Sequence, residues 1–235
     1  RDRYGRTQFG QSVLLARRLV DAGTRLVQVN WYRAADEPAD APCWDSHVGE
    51  ANRLKTALLP PFDQTFSALL ADLHASGRLE ETLVVVMSEF GRSPKINAQG
   101  GRDHWGNVFS VALAGGGVRG GTVYGSSDAL GGDPKTGLVR PEDLLATIFH
   151  CLGLPPETVL HDPLSRPFPI ARGQVLQPQH ARGGRRERLD VGDPPGLVGA
   201  EQQVDVDVAV AFNDHAGHYV IEYRRDRQVR RGAAQ

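Results

Sequence analysis

The sequence predicts an α/β fold in which helices cover a layered, mostly parallel sheet. Two observations support this prediction. Residues 83–87, LVVVM, form a continuous apolar run, which is typical of a strand buried on both faces in a parallel sheet. Segments with helical and strand-like patterns also follow one another in the order helix, strand, helix, strand, strand, helix, as expected when helices pack on a sheet.

The residue pattern of the N-terminal part predicts one helix followed by one strand. Apolar residues recur at helical spacing within residues 7–22, and Gly23 stands where helices commonly end. Residues 24–31, TRLVQVNW, alternate in polarity and therefore predict a strand. A loop over residues 32–43 contains two prolines and leads into a polar cluster.

The next segment predicts a long helix that leads to the apolar strand at 83–87. Residues 50–76 have a helical pattern with an apolar face, and Gly77 ends it. Pro60 and Pro61 interrupt this pattern, so they are expected to end one helix or to kink it.

The later segments predict two more strands and a helix. Residues 108–114, VFSVALA, read as a strand, and residues 123–124 begin a shorter one. Residues 141–152 predict a helix because Pro141 stands in its first turn, acidic residues follow, and Gly153 comes after its end.

Composition excludes several classes of protein. The chain has 235 residues, 40% hydrophobic and 23% charged, which fits a globular domain. Its net charge of -1 provides no global field that recruits nucleic acid, and no apolar run is long enough to cross a bilayer. We therefore expect no nucleic-acid partner and no transmembrane segment.

A change in composition divides the chain into a domain and a tail. Residues 1–177 are expected to form the domain, and residues 178–235 a basic, low-complexity tail that is disordered or adds a small hairpin. Residues 180–188 are basic and poor in apolar side chains. Residues 204–212, VDVDVAVAF, alternate like a strand with which residues 218–223 can pair.

Three polar clusters, each at the edge of a predicted strand, offer candidate metal ligands. These are Asp45 and His47, then Glu89, and then Asp103 and His104. Carboxylate and neutral imidazole are standard ligands of divalent metals, and Asp103 serves either as a ligand or as the group that orients a ligating histidine.

Each cluster also has an ordinary structural explanation. Asp45 can cap the helix that follows it, Glu89 can pair with Arg92, and His104 can pack on Trp105. The metal-binding interpretation gains weight only because the three clusters occur together.

Two arginines lie beside these clusters and are candidates for binding an oxyanion. Arg92 and Arg102 are expected to hold the oxygens of a phosphate or sulfate, since the planar guanidinium group binds such anions through two hydrogen bonds. The glycine-rich run at 115–121 lacks the ending of a phosphate-binding loop and is interpreted as a turn.

Four segments carry a resemblance to a known family: WDSHVGEANRLKTALLPPFDQTFSALLADL, VVVMSEFGRSPKIN, GRDHWGNVFSVALAGGGVRGGTVYGSSD and PEDLLATIFHCLGL. They resemble the DUF1501 family, a bacterial family within the alkaline phosphatase-like (sulfatase-like) superfamily, from about Tyr4 to Gln174. The resemblance implies a three-layer α/β/α sandwich with a mostly parallel sheet, of which the N-terminal part is missing here.

The resemblance also implies roles for individual residues. Asp45 and His47 look like the ligand pair of one metal, and His104 looks like the histidine that completes the site. Glu89 falls where the superfamily has a ligating aspartate, but Phe90 replaces the histidine that normally follows it. The nucleophile is expected outside this chain or as water on the metal, so that the fragment alone is expected to be inactive.

The function implied is a metal-dependent hydrolase of phosphate or sulfate esters, acting on a small molecule or a glycan. One or two divalent ions are expected, zinc first, with manganese, iron, magnesium or calcium as alternatives. The family further implies an exported protein of the periplasm or cell envelope. The alternative is a non-catalytic exported binding or scaffold protein that retains a residual metal site.

Overall fold

A computed structural model describes residues 1–31, 33 and 43–176 and the backbone of residues 207–209. The α-helices within these residues are α1 (Gln8–Asp21), α2 (Glu50–Arg53), α3 (Leu59–Ala75) and α4 (Pro141–Cys151). None of the helices in this described part is both long and apolar enough to span a bilayer.

The first and last helices, α1 and α4, confirm the predictions made from periodicity and capping. The Thr7 side chain accepts a hydrogen bond from the backbone N–H of Gly10 and so caps the start of α1. At the start of α4, the Asp143 carboxylate accepts a hydrogen bond from the backbone N–H of Arg140.

The helical segment before the apolar strand is continuous but irregular. A turn of π-helix over Leu54–Leu58 joins α2 to α3. Pro60 and Pro61 lie in the first turn of α3, directly after the π-helical turn, and they lack the N–H groups that would continue its hydrogen bonding. The prolines therefore lie at an irregular boundary within the helical segment, as their positions in the sequence predict.

The strands are short. Within the described residues they are β1 (Leu26–Val27), β2 (Thr82–Val86), β3 (Gly91–Ile96), β4 (Arg102–Trp105), β5 (Ala112–Ala114), β6 (Ser126–Ser127), β7 (Pro134–Thr136), β8 (Val159–His161), β9 (Pro167–Pro169) and β10 (Asp207–Ala209). One four-stranded sheet has the order β1, β10, β2, β5, and the other strands form antiparallel pairs, β3 with β4, β6 with β7 and β8 with β9.

The predicted three-layer α/β/α sandwich with a mostly parallel sheet is wrong for this structure. Strand β2 is buried as expected, but its neighbour β5 runs antiparallel to it, and the remaining pairs are local and antiparallel. The apolar run of β2 predicts that the strand is buried on both faces. The direction of its neighbours depends on which segments pair with it, and the run does not encode that. Burial alone therefore could not establish a parallel sheet.

Several predicted strands are also shorter than expected or displaced. Only Leu26 and Val27 form a strand within residues 24–31, and only Ala112–Ala114 within residues 108–114. The short strand expected at residues 123–124 is instead Ser126–Ser127.

One strand of the four-stranded sheet comes from the C-terminal segment. Strand β10 lies inside the strand predicted at residues 204–212 and pairs in parallel with both β1 and β2. The proposed partner at residues 218–223 and the basic stretch at 180–188 lie outside the described residues.

The largest core cluster packs α1 and α3 against the four-stranded sheet. Val13, Val20, Leu69 and Leu73 from the two helices meet Val84 of β2, and all five side chains are almost fully buried. Burial of apolar side chains on this scale fixes the helices against β2. The chain leaves β2 at Met87 and enters the hairpin of β3 and β4, which carries the candidate site.

Candidate metal centre

The candidate site is built on the antiparallel hairpin of β3 and β4 and on the loop over residues 43–49. Arg92 of β3 lies directly opposite His104 of β4 in the register of the hairpin. The loop is attached to the hairpin by a bridge between Val48 and Gly100 and by a hydrogen bond from the backbone N–H of Arg102 to the carbonyl of Ser46. The predicted clusters therefore meet on a hairpin and not at the carboxyl ends of parallel strands.

Asn97, which sequence reasoning did not single out, organises the turn of this hairpin. Its side-chain oxygen accepts hydrogen bonds from the backbone N–H groups of Gln99 and Gly101. Its side-chain nitrogen donates to the carbonyl of His47 at 3.0 Å and to Asp103 Oδ1 at 3.3 Å. An asparagine within a glycine-rich turn was the available signal, because such residues commonly bond to nearby backbone groups.

Three donor atoms from the predicted ligands converge at the surface of the hairpin. Asp45 Oδ1 lies 2.8 Å from His104 Nε2 and 3.1 Å from His47 Nε2. The two histidine Nε2 atoms are 3.1 Å apart. The His104 side chain is 49% exposed, so the cluster is open to solvent. Among the described residues, Asp45, His47 and His104 are the group of side chains that could hold a metal ion.

Asp103 contacts the opposite nitrogen of His47 and lies outside the donor cluster. Asp103 Oδ1 is 3.2 Å from His47 Nδ1. Since a carboxylate accepts hydrogen bonds, we assign the proton of the neutral His47 ring to Nδ1, which leaves a lone pair on Nε2. The structure thus places Asp103 as the group that orients His47, a role common for carboxylates near metal-binding histidines.

Arg92 holds the carboxylate of Asp45 in place. Its Nη2 atom lies 2.5 Å from Asp45 Oδ1 and also donates to the carbonyl of Trp44 at 3.0 Å. Burial raises the pKa of Asp45, but hydrogen bonds with His104 and Arg92 outweigh that effect and lower the pKa below its usual value. Asp45 is therefore charged at neutral pH. It does not cap α2, whose N-terminal residue Gly49 makes no side-chain cap.

Arg102 makes its contacts outside the donor cluster and links the hairpin to α2. Its Nε atom is 3.0 Å from Glu50 Oε2, and its Nη1 atom donates to the carbonyls of Ser93 and Pro94, each at 2.7 Å. Glu50 is nearly buried and was another residue that sequence reasoning missed. Buried carboxylates require such partners, so the pair fixes α2 beside the site.

Glu89 and Phe90 follow β2 but differ in their relation to the cluster. Glu89 is exposed and lies outside the group of donors, and the expected pair with Arg92 is replaced by the contact of Arg92 with Asp45. The ring of Phe90 packs on His104, with 4.2 Å between ring centroids. Phe90 therefore forms an apolar wall beside His104, and the hairpin of β3 and β4 brings His104 against it.

Replacing Asp103 with asparagine is expected to weaken metal binding without abolishing it. The amide of asparagine no longer attracts the Nδ1 proton of His47 as a carboxylate does, so the ring loses its fixed orientation. We expect the Kd for the metal to rise by about 10–100-fold, as measured by titration calorimetry. Asp63→Asn, at an exposed position of α3, is the control and should leave the Kd unchanged. Equal Kd values for the two variants would contradict the role assigned to Asp103.

Comparisons with known proteins give one family match. A family model described as "Protein of unknown function (DUF1501)" matches residues 1–179, a span that includes the whole donor cluster. No curated protein and no solved structure matches the chain.

Proposed function

Starting from the fact that the chain belongs to the DUF1501 family, we propose that it binds one divalent metal ion and hydrolyses a phosphate or sulfate ester there. Asp45, His47 and His104 would hold the ion. The observation that supports the proposal most strongly is the convergence of three lone-pair donors within 3.1 Å of one another.

Either hydrogen bonds or an ion explains the close approach of these three atoms. The Nε2–H of one neutral imidazole can donate to Asp45 or to the other ring, whereas Nε2 lone pairs on both rings would repel the charged oxygen of Asp45 and each other unless a metal ion lay between them. Two imidazoles and one carboxylate form a familiar ligand set for zinc, manganese and iron. The exposure of His104 supports entry of an ion from solvent.

The residues around the cluster would orient the ligands and attract an anion. Asp103 holds the His47 ring, and Arg92 holds the Asp45 carboxylate while placing a guanidinium charge beside the ion. A bound divalent ion supplies Lewis acidity that polarises an ester oxygen and stabilises developing negative charge. With a single carboxylate ligand, the loaded site keeps a net positive charge that favours an anionic ester.

The oxyanion clamp of Arg92 and Arg102 stays a prediction. The Arg92 guanidinium is bonded to Asp45 and would therefore stand beside an anion bound at the same cluster. Arg102 is held by Glu50 and two backbone carbonyls, so its contribution to an anion site would require those contacts to open.

A second candidate function, a non-catalytic metal-binding module, is favoured by the hydroxyl groups near the site. Ser46 Oγ is buried without a hydrogen-bond partner, while Ser88 Oγ donates to the carbonyl of Phe90 and Ser93 Oγ to that of Lys95. Neither the two bonded hydroxyls nor that of Ser46 forms a hydrogen bond with one of the three donor atoms. The hydrolase proposal therefore draws its nucleophile from water, and it predicts activity for this chain by itself, where the family resemblance led us to expect none.

The two candidates differ in what the loaded protein does to an ester. The experiment removes metal from the protein and reloads it with zinc, manganese, iron, magnesium or calcium. Hydrolysis of aryl phosphate and aryl sulfate esters is then measured for wild type, Asp45→Asn and His74→Ala. The hydrolase proposal predicts activity that requires metal, is lost in Asp45→Asn and is kept in His74→Ala, an exposed histidine of α3. A metal-loaded wild type that hydrolyses neither ester class would refute the hydrolase and leave the binding module.

A further inference from the structure

The gap between β1 and β2 is filled by a single strand, β10. In the parallel register, Val208 stands opposite both Leu26 of β1 and Leu83 of β2, and the next residue of each strand pairs in the same way. Neighbouring strands lie about 4.7–4.9 Å apart, so β1 and β2 are separated by roughly 10 Å. They therefore cannot bond to each other directly, and β10 joins β1 to the rest of the sheet.

Strand β2 needs a hydrogen-bonding partner on the side that β10 occupies. Its other side is taken by β5, which pairs with residues 84–86. Within the assembled sheet, Thr82, Leu83, Val84 and Val85 are at most 2% exposed, so water does not satisfy their backbone groups. A buried N–H or C=O without a partner costs about as much free energy as a lost hydrogen bond. An empty gap is therefore unfavourable, and a strand bound in it gains hydrogen bonds on both of its sides.

The gap and the strand that fills it differ in their relation to the family. Strands β1 and β2 lie within residues 1–179, the span that matches DUF1501, whereas β10 lies beyond it. Helix α1, also within this span, packs against both β1 and β10. The matched part of the chain thus provides two facing strand edges and a covering helix, while the strand between them comes from the C-terminal segment.

The sequence around β10 has the pattern of a strand that fits such a gap. Residues 204–212, VDVDVAVAF, have valine at every second position from 204 to 210. In an extended strand, alternate residues lie on the same face, so this pattern gives one face of β-branched side chains. The segment contains no proline or glycine, the residues that interrupt or weaken pairing in a central strand.

We propose that the gap between β1 and β2 is an acceptor site for an extended strand, which β10 fills in this chain and for which a separate peptide of the same sequence can exchange. The site binds a parallel strand through backbone hydrogen bonds on both sides, which is β-strand addition inside a sheet rather than at its edge. The partner that fits it is an extended peptide with β-branched residues at alternate positions. None of the three metal-ligand candidates belongs to this site, so the inference is independent of the proposed function.

Full-length protein carrying Val208→Pro tests the proposal. Proline lacks the N–H that a central strand donates to its neighbour, so the variant's own segment is expected to leave the gap. A fluorescently labelled peptide of residues 204–212 is titrated with protein, and its anisotropy is measured. In wild type the strand of the same chain competes at high effective concentration. We therefore expect the peptide to bind the variant at least about 100-fold more tightly than wild type.

The matched control is Val123→Pro, the same substitution at a residue that is 78% exposed and lies outside the strands. This variant should bind the peptide as weakly as wild type does. A peptide that itself carries Val208→Pro should bind none of the three proteins. Circular dichroism of each protein, recorded without and with peptide, shows whether it is folded. If Val208→Pro alone is unfolded, the unmodified peptide is expected to restore the wild-type spectrum.

Two results would overturn the acceptor site. One is a folded Val208→Pro protein that binds the peptide no more tightly than wild type does. The other is an unfolded Val208→Pro protein whose spectrum the peptide does not restore. Tight binding by the folded variant, or restoration of an unfolded one, supports the proposal.

Discussion

Replacement of His104 by alanine is expected to abolish stoichiometric metal binding. The variant loses one of three converging donors, so only two of these side chains remain to hold the ion. Loss of an orienting group raises the Kd for the metal by at most about 100-fold. Loss of a ligand is a larger change, so we expect the Kd of His104→Ala to rise by more than that. Titration calorimetry with manganese(II) and with zinc(II) measures the change.

The fold should tolerate this substitution. The His104 side chain is 49% exposed, so alanine leaves no enclosed cavity, and only the contact with Phe90 is lost. His74→Ala is the matched control, since it removes an exposed histidine from α3 and should bind metal like wild type. Unchanged metal affinity in a folded His104→Ala protein would remove His104 from the site.

Replacement of Gly101 by alanine is expected both to lower the free energy of unfolding and to disrupt the candidate site. A Cβ atom at Gly101 would lie 1.9 Å from the carbonyl oxygen of His47 and 2.5 Å from the backbone nitrogen of Val48. Real Cβ atoms do not approach backbone so closely, and no side-chain rotation relieves the clash. The loop that carries Asp45 and His47 must therefore separate from the hairpin that carries His104.

We expect Gly101→Ala to cost about 3 kcal/mol, at the upper end of what overpacking usually costs. Chemical denaturation of the metal-free protein measures this cost, and the Kd for the metal should rise as well. Gly106→Ala is the matched control, because a Cβ atom there meets nothing within 4 Å. Equal free energies of unfolding for the two variants would show that the loop and the hairpin are not in the contact described.

The helices were predictable from local signals. Helix α1 has apolar residues at helical spacing, a threonine cap and a glycine after its end, and α4 has a proline and acidic residues in its first turn. These signals lie within the helix itself, so they do not depend on how the rest of the chain folds. The buried strand β2 was predictable for the same reason, since its burial is encoded in its own apolar run.

The arrangement of strands was not predictable in this way. Strand β3 has the sequence GRSPKI, which contains a proline and a single large aliphatic side chain and does not alternate in polarity. It is a strand because it pairs with β4 across the turn organised by Asn97. Strand direction and partner are properties of the assembled sheet, and the order of elements along the chain favoured a mostly parallel sheet, whereas most strand pairs among the described residues are antiparallel.

The candidate site was predicted from the types of residue in the sequence, although the fold predicted around them was wrong. The structure brings Asp45, His47 and His104 together by means of the hairpin and the loop. Glu89 was included because it directly follows a buried strand, yet the chain turns there and leaves its side chain exposed. The choice between ligand and orienting group for Asp103 depended on which nitrogen of His47 it contacts, and only the folded geometry gives that.

The central claim is that Asp45, His47 and His104 bind a single divalent ion. The most direct measurement is metal content by mass spectrometry on folded wild-type protein that has been offered zinc, manganese, iron, magnesium and calcium and then desalted. The account predicts about one ion per chain in wild type and in His74→Ala, and none in His104→Ala. No retained metal in folded wild type would contradict it and would leave the three side chains as a hydrogen-bonded network around a proton.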